Sequence, residues 1–331
     1  MVSVLPRSGG RRALLAAAAL AALGLLLWWL LPLGGRPAPS GQVTLSTGVR
    51  SGVYARYGEL LKQDLGRDLP QVDVRLRNSA GSLDNLNQLA KGHAQFTIAT
   101  ADAVAEQQRR DPRAGARLRA CARLYDDYIA LVVPAGSPVG SARDLEGLRV
   151  GVGGDGSGVQ LVTRHLLEAA GLDFDHDIEA VRVGIDRMPK LLEAKELDAF
   201  FWSGGLPTSA VQQVARRMPV RLVQLGDLVP ALHRQGEASR HYRAAVMPAD
   251  AYPQVQNGQA IRTVAVANLL VTTDREDPVM VEAITRTVIR SRDRIGTEVH
   301  AAQKVDLRTA VFTDPLPLHE GARRYYVSEK P

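Results

Sequence analysis

From residue 43 onward the chain alternates short apolar runs with longer segments whose apolar positions recur every three or four residues. Residues 43–46 read as a strand, and 54–65 behind it carry helical spacing. Residues 72–76 alternate apolar and polar positions as a half-buried strand does; 82–91 predict a helix and 94–99 a further strand. A β-branched run over 129–133 stops at Pro134. Beyond it the pattern resumes with a strand at 149–152, a helix at 159–169, a helix at 188–194 and a buried strand at 199–202. A long apolar strand at 264–272 and a helix at 278–292 follow. Alternation of strand and helix predicts parallel sheets with both faces covered. Because it breaks near Pro134 and then restarts, an α/β fold of two lobes is expected rather than one large sheet. Lobe 1 takes residues 43–131 and 249–331, the latter completing its core, and lobe 2 takes 132–248.

A different pattern precedes these elements. Residues 13–33 carry no charge, and at ~1.5 Å per residue such a stretch spans a ~30 Å hydrocarbon layer as a helix. Arg7, Arg11 and Arg12 make residues 1–12 a basic n-region expected on the cytoplasmic side, and 34–42 form a Pro/Gly/Ser linker beyond the membrane. The apolar core is longer than the ~7–15 residues of a signal peptide, so an uncleaved anchor with an extracytoplasmic domain is expected. If the segment is cleaved, the domain is secreted or periplasmic.

Charge alters the picture little. The 331 residues include 41 Lys and Arg against 35 Asp and Glu, but four of the arginines and none of the acids fall in residues 1–40. The small excess left on the rest of the chain requires no nucleic-acid partner. The single cysteine, Cys121, excludes an intramolecular disulfide and a cysteine-based zinc site.

Three strand-to-helix loops concentrate the candidate chemistry. The first supplies hydroxyls from Thr47 and Ser51, close backbone approach at Gly52, and Arg50, whose guanidinium suits a carboxylate or stays a solvated loop charge. In the second, Ser82 is placed to cap a helix, with Asn85 three residues on. The third, at 151–158, is glycine-rich and opens a helix, which aims backbone N–H groups at an anion. No Lys follows it, excluding a nucleotide P-loop; Gly151, Gly153 and Gly156 match GxGxxG, leaving a dinucleotide site, a tight structural turn and a small-anion cradle as its readings. Asp173, Asp175 and Asp177 lack the glycine and glutamate of a calcium loop. Asp126 and Asp127 are adjacent and so do not face one another on a regular element. The seven histidines are scattered, and no nucleophile, base and oxyanion hole assemble, so neither an enzyme nor a cofactor is expected. Loops of this kind on two lobes describe a cleft for a small polar ligand.

These motifs resemble the TAXI family of extracytoplasmic solute receptors, which are associated with TRAP transporters. The matching runs include Ser46-Thr47-Gly48 with Gly52 and Tyr54, Gly81-Ser82-Leu83-Asp84-Asn85-Leu86, Gly156-Ser157-Gly158, Asp198-Ala199-Phe200-Phe201 and Gly205-Leu206-Pro207-Thr208. Asn268-Leu269-Leu270-Val271 and Leu318-His319-Glu320-Gly321-Ala322 continue them, in the family's order, across residues 43–326. The resemblance implies a type II periplasmic-binding-protein fold whose two hinged lobes close on one small ligand, glutamate-like or a dicarboxylate. It further implies a TRAP-type membrane permease as partner; a rival reading, which a permanent anchor fits equally, makes the same cleft a sensor that signals to a membrane-bound kinase, and a monomer is expected in either case. By the same resemblance the ligand-binding set is Thr47, Gly48, Gly52, Tyr54, Ser82, Asn85, Asp102, Gly156, Ser157, Gly158, Gly205, Leu206 and Pro207, to which the loop reading adds Arg50 and Ser51. The family's first loop runs closer to TGGxxGxYY; here Val49 and Ala55 replace a glycine and a tyrosine.

Overall fold

The computed structural model describes residues 17, 18, 20–22 and 38–330. Most of the apolar segment 13–33, and all of residues 1–12, lie outside them; among the described residues no helix is long and apolar enough to cross a membrane. Contacts separate residues 1–38 from the unit Pro39–Pro331, which is described here by itself.

Two lobes in this unit share one hydrogen-bonded sheet. In the first, β1 (Gly41–Ser46) pairs in parallel with β2 (Val72–Arg77) and β3 (Phe96–Thr100). The crossovers are helices α1 (Val53–Asp68) and α2 (Ser82–Ala90), and α3 (Ala101–Arg110) follows β3 directly. In the second, β5 (Arg149–Gly151) pairs in parallel with β6 (Glu179–Val181) and β7 (Ala199–Gly204), with α4 (Gly158–Ala170) behind β5. Parallel pairing on both flanks agrees with the sequence pattern.

The centre departs from it. Strand β4 (Leu118–Pro134) has 17 residues, and its antiparallel partner is the 13-residue β10 (Ile261–Thr273), drawing both lobes into one sheet of order β2-β1-β3-β10-β4-β7-β5-β6. β10 meets β3 through Asn268–Val271 and the edge strand β9 (Tyr242–Met247) through Ile261–Val266. β4 meets β7 and the short β8 (Val220–Val223) from Tyr128 onward. Both long strands therefore cross from one lobe to the other, and their register shifts between Ala267 and Leu269. The sequence pattern exposed only 129–133 of β4 because Arg119, Arg123, Asp126 and Asp127 interrupt its apolar run.

Three apolar clusters fill the unit. Val43, Leu45, Tyr57, Leu61 and Phe96 pack with Val281 and Ile284 of α5 (Pro278–Arg290) and with Tyr325 and Tyr326 of α6 (Glu320–Ser328). Leu86, Leu89, Val104 and Leu269 fill the opposite face of the same lobe. The second lobe is built on Ile129–Val133, Leu166, Phe200, Phe201 and Val264. Residues 129–131 and Tyr252, Val255, Ile261 and Val264 pack in this cluster, although the sequence borders at 131/132 and 248/249 assign them to lobe 1. The physical reason is that β4 and β10 cross near Asp127 and Ala267, inside apolar runs, and the crossing leaves no break in the hydrophobic pattern.

Candidate ligand-binding site

Helix starts dominate the geometry between the lobes. The N-terminus of α1 brings Gly52, Val53 and Tyr54 to the cleft; α2 brings Gly81 and Ser82; α4 brings Ser157, Gly158 and Val159. Gly52 and Gly81, the residues that precede α1 and α2, offer no side-chain cap, so the first N–H groups of both helices are left without one. In α4 the Ser157 hydroxyl accepts from Gln160 N at 3.1 Å. All eight residues line one cavity of about 170 Å³, together with Gly48, Val49, Ala80, Thr100, Asp127, Gly153, Gly154, Gly184, Ile185, Asp186, Trp202, Ser203 and Gly204. That is below the ~300–1,000 Å³ of drug-sized pockets, so its occupant is small. Three positive helix ends at one cavity favour negative charge there.

The lobes meet at this cavity through backbone. Gly81 sits at φ +133°, and a Cβ there would lie 3.2 Å from Ser157 Cα of the other lobe. Beside it Asp84 N donates to Gly156 O at 3.1 Å. On the other rim, a Cβ on Gly205 would come 2.5 Å from Ala301 Cβ.

The floor is a hydrogen-bonded chain across both crossing strands. Tyr54 donates its hydroxyl to Asn268 Oδ1, Asn268 Nδ2 donates to Asp127 Oδ1 at 2.7 Å, and Ser203 Oγ donates to Asp127 Oδ2 at 3.2 Å. The chain so runs from α1 through β10 and β4 to β7. Burial pushes the Asp127 carboxyl up to about 7, against the hydrogen bonds from Asn268 and Ser203. Burial, and then the nearby Asp127 charge, hold the Tyr54 hydroxyl well above the usual tyrosine range.

Of the residues singled out in the sequence, Gly48, Gly52, Tyr54, Ser82, Ser157 and Gly158 come together on this lining. Thr47 and Asn85 stand behind it. Asn85 Nδ2 donates to Thr47 O and to Ile98 O at 2.8 Å, and its Oδ1 accepts from Ser46 Oγ at 2.6 Å, so Asn85 braces the first loop. Asp102 is buried and accepts from the Tyr242 hydroxyl at 2.6 Å, tying α3 to β9 of the other lobe. Gly156 faces an outer groove with Asp84, Arg110 and Arg164. Ser51, Gly205, Leu206 and Pro207 line a neighbouring cavity of about 140 Å³, which shares Gly52 and Val53 with the first. Arg50 lines neither: Gly52 N bonds Val49 O at 2.8 Å, folding 49–52 into a turn whose exposed corner is Arg50 and Ser51. The ion pair expected of Arg50 therefore has no partner position in the cavity.

Sequence reading passed over Asp127, Trp202 and Ser203. Asp126 and Asp127 do point apart, as adjacent strand residues must, with Asp126 bonded to Arg123 and Arg243. The signal lay in that same alternation, which puts one of the two carboxylates on the cleft side.

A family model described as the NMT1-like family matches residues 45–329. The chain belongs to that family. Among solved structures, this NMT1-like chain is similar to a protein from Bordetella bronchiseptica RB50, at 17% identity over 88% of this chain and 90% of that one, with a TM-score of 0.53. It is also similar to a Xanthomonas citri protein bound to chloride ion, at 13% identity, 87% and 95% coverage and a TM-score of 0.50. The periplasmic aliphatic sulphonate binding protein SsuA from Escherichia coli matches at 14% identity, 88% and 84% coverage and a TM-score of 0.48. At these identities the likeness concerns the fold, and the NMT1-like chain has the two-lobed periplasmic-binding-protein architecture.

Proposed function

We propose that this protein is an extracytoplasmic solute receptor that captures a small carboxylate-bearing ligand between its lobes and presents the closed form to a membrane transporter. The observation that carries the reading is the convergence of the α1, α2 and α4 N-termini on one cavity between the lobes. Backbone N–H groups there bind an anion without a basic side chain, and a ligand that touches both lobes favours closure by its differential affinity. The TAXI-like motifs favour a TRAP-type permease as the partner, and the segment 13–33 would hold the receptor at the membrane. Solute-binding neighbours such as SsuA, named for the sulphonates it binds, support the receptor class rather than the ligand.

A melting-temperature screen of the full chain in detergent, against amino acids, dicarboxylates, 2-oxo acids and sugars, tests the reading. A ligand at 100 times its dissociation constant stabilises the fold by ~2.7 kcal/mol. Stabilisation confined to carboxylates is expected; a response to sugars alone, or to nothing, would sink the proposal.

A further inference from the structure

We infer that Asp127 is the specificity-determining acceptor of the cavity, selecting ligands that present a hydrogen-bond donor, an ammonium or a hydroxyl, at its floor. The inference rests on the solute-receptor reading and concerns the end of the ligand away from the helix N-termini.

Four observations carry it. Asp127 is only 4% exposed and lines the cavity. Each of its oxygens accepts one hydrogen bond, from Asn268 and from Ser203, leaving lone pairs free on both. The other buried polar side chains of the lining are already engaged. Helix N–H groups donate, the Tyr54 hydroxyl is given to Asn268, the Ser82 hydroxyl accepts from Thr100 N, and that of Ser157 accepts from Gln160 N. Among the described residues no Lys, Arg or His lines the cavity, so nothing there neutralises the carboxylate. Asp186, the other acid of the lining, is exposed and screened by water. The cavity is thus bipolar, with donors at the helix ends and a buried acceptor on the floor.

A simple tie between strands would not need a carboxyl. An asparagine at 127 would accept from Asn268 and donate to Ser203, making the same links without burying a titratable group. The charged groups that face Asp127 are carboxylates, which disfavour its ionised form. Asp126 on the same strand and Asp102 on α3 raise its pKa, and Tyr54 of α1 and Tyr125 of β4 stand nearby as neutral hydroxyls. A ligand ammonium would supply the missing counter-charge.

The test is calorimetric titration of the full chain in detergent with glutamate, 2-hydroxyglutarate and 2-oxoglutarate, which differ only at C2. At pH 8 the amino and hydroxy acids are expected to bind at least tenfold more tightly than the oxo acid. In Asp127→Asn the preference should shrink to within threefold. The wild-type protein alone provides a second arm, since its preference for glutamate should fall between pH 8 and pH 6 as Asp127 takes up its proton. Equal binding of all three acids to the wild type overturns the role of Asp127 and leaves the receptor reading standing, as does a preference that survives the substitution or ignores pH. If none of the three binds, the carboxylate-receptor reading fails and this inference falls with it.

Discussion

Asp127 costs the folded protein stability as well as giving the cavity its acceptor. An unfolded aspartate loses its proton near ~3.9, whereas burial holds the proton on Asp127 up to about 7. Between those values the native state binds more protons than the unfolded one. Its stability advantage is therefore full below ~4 and is lost as the pH rises toward 7. Asp127→Asn, which keeps the size and can keep both hydrogen bonds, should remove that slope. Denaturant unfolding without ligand should show the variant gaining on the wild type by a few kcal/mol between pH 4 and pH 8; parallel curves for the two proteins would refute the argument. At this scale the sequence was legible wherever backbone chemistry decides. Gly48, Gly52, Ser82, Ser157 and Gly158 reach the cavity because glycine and small hydroxyl residues before a helix leave its N–H groups accessible. Arg50 was left open between a ligand contact and a solvated charge because charge alone does not tell which corner of a turn faces solvent. Asp127 was passed over because its role depends on β4, β7 and β10 meeting, contacts far apart in sequence.

Among elements, the starts of α1, α2 and α4 and strands β1, β2, β3, β5, β7 and β10 were anticipated to within a few residues; α3, β6, β8 and β9 were not, and β4 was anticipated only over 129–133. Its N-terminal half carries Arg119, Arg123, Asp126 and Asp127 at positions where an edge or a loop would ordinarily place them, and only pairing with β10 explains their extended backbone. The helix α4 offers a direct check on the cap reading. Ser157→Ala removes the hydroxyl that accepts from Gln160 N, and should cost ~1 kcal/mol of stability in thermal or denaturant unfolding. Ligand affinity should also fall, because the first turn of α4 forms one wall of the cavity. A variant that loses neither would show that backbone geometry alone holds this start.

At the scale of the whole unit, the lobes approach one another where a glycine leaves room for a neighbouring side chain. Gly205 against Ala301 is the tightest such approach between the lobes. Its φ lies outside the left-handed region, so Gly205→Ala leaves the local backbone unstrained and acts through the space between the lobes. The added methyl should prop the rim open, giving a larger radius of gyration in small-angle scattering with ligand present, at an unchanged melting temperature without ligand. Affinity should drop at least tenfold. Wild-type scattering and affinity would mean that the lobes close without this contact. The two-lobe plan could be read from the break at Pro134, and the shared sheet could not, because continuity through β4 and β10 is a matter of hydrogen bonds between distant segments.

That continuity also orders the birth of the fold. The chain leaves lobe 1 near Asp127 and does not return until Ala267, so lobe 2 is one uninterrupted stretch whereas lobe 1 is split. Val43 and Leu45 find part of their core in Val281, Ile284, Tyr325 and Tyr326, more than 200 residues later. On a ribosome lobe 2 has all its partners before the C-terminal helices exist, while β1–β3 wait with half a core exposed. The lobe nearest the N-terminus therefore cannot finish folding until the last helix has been made.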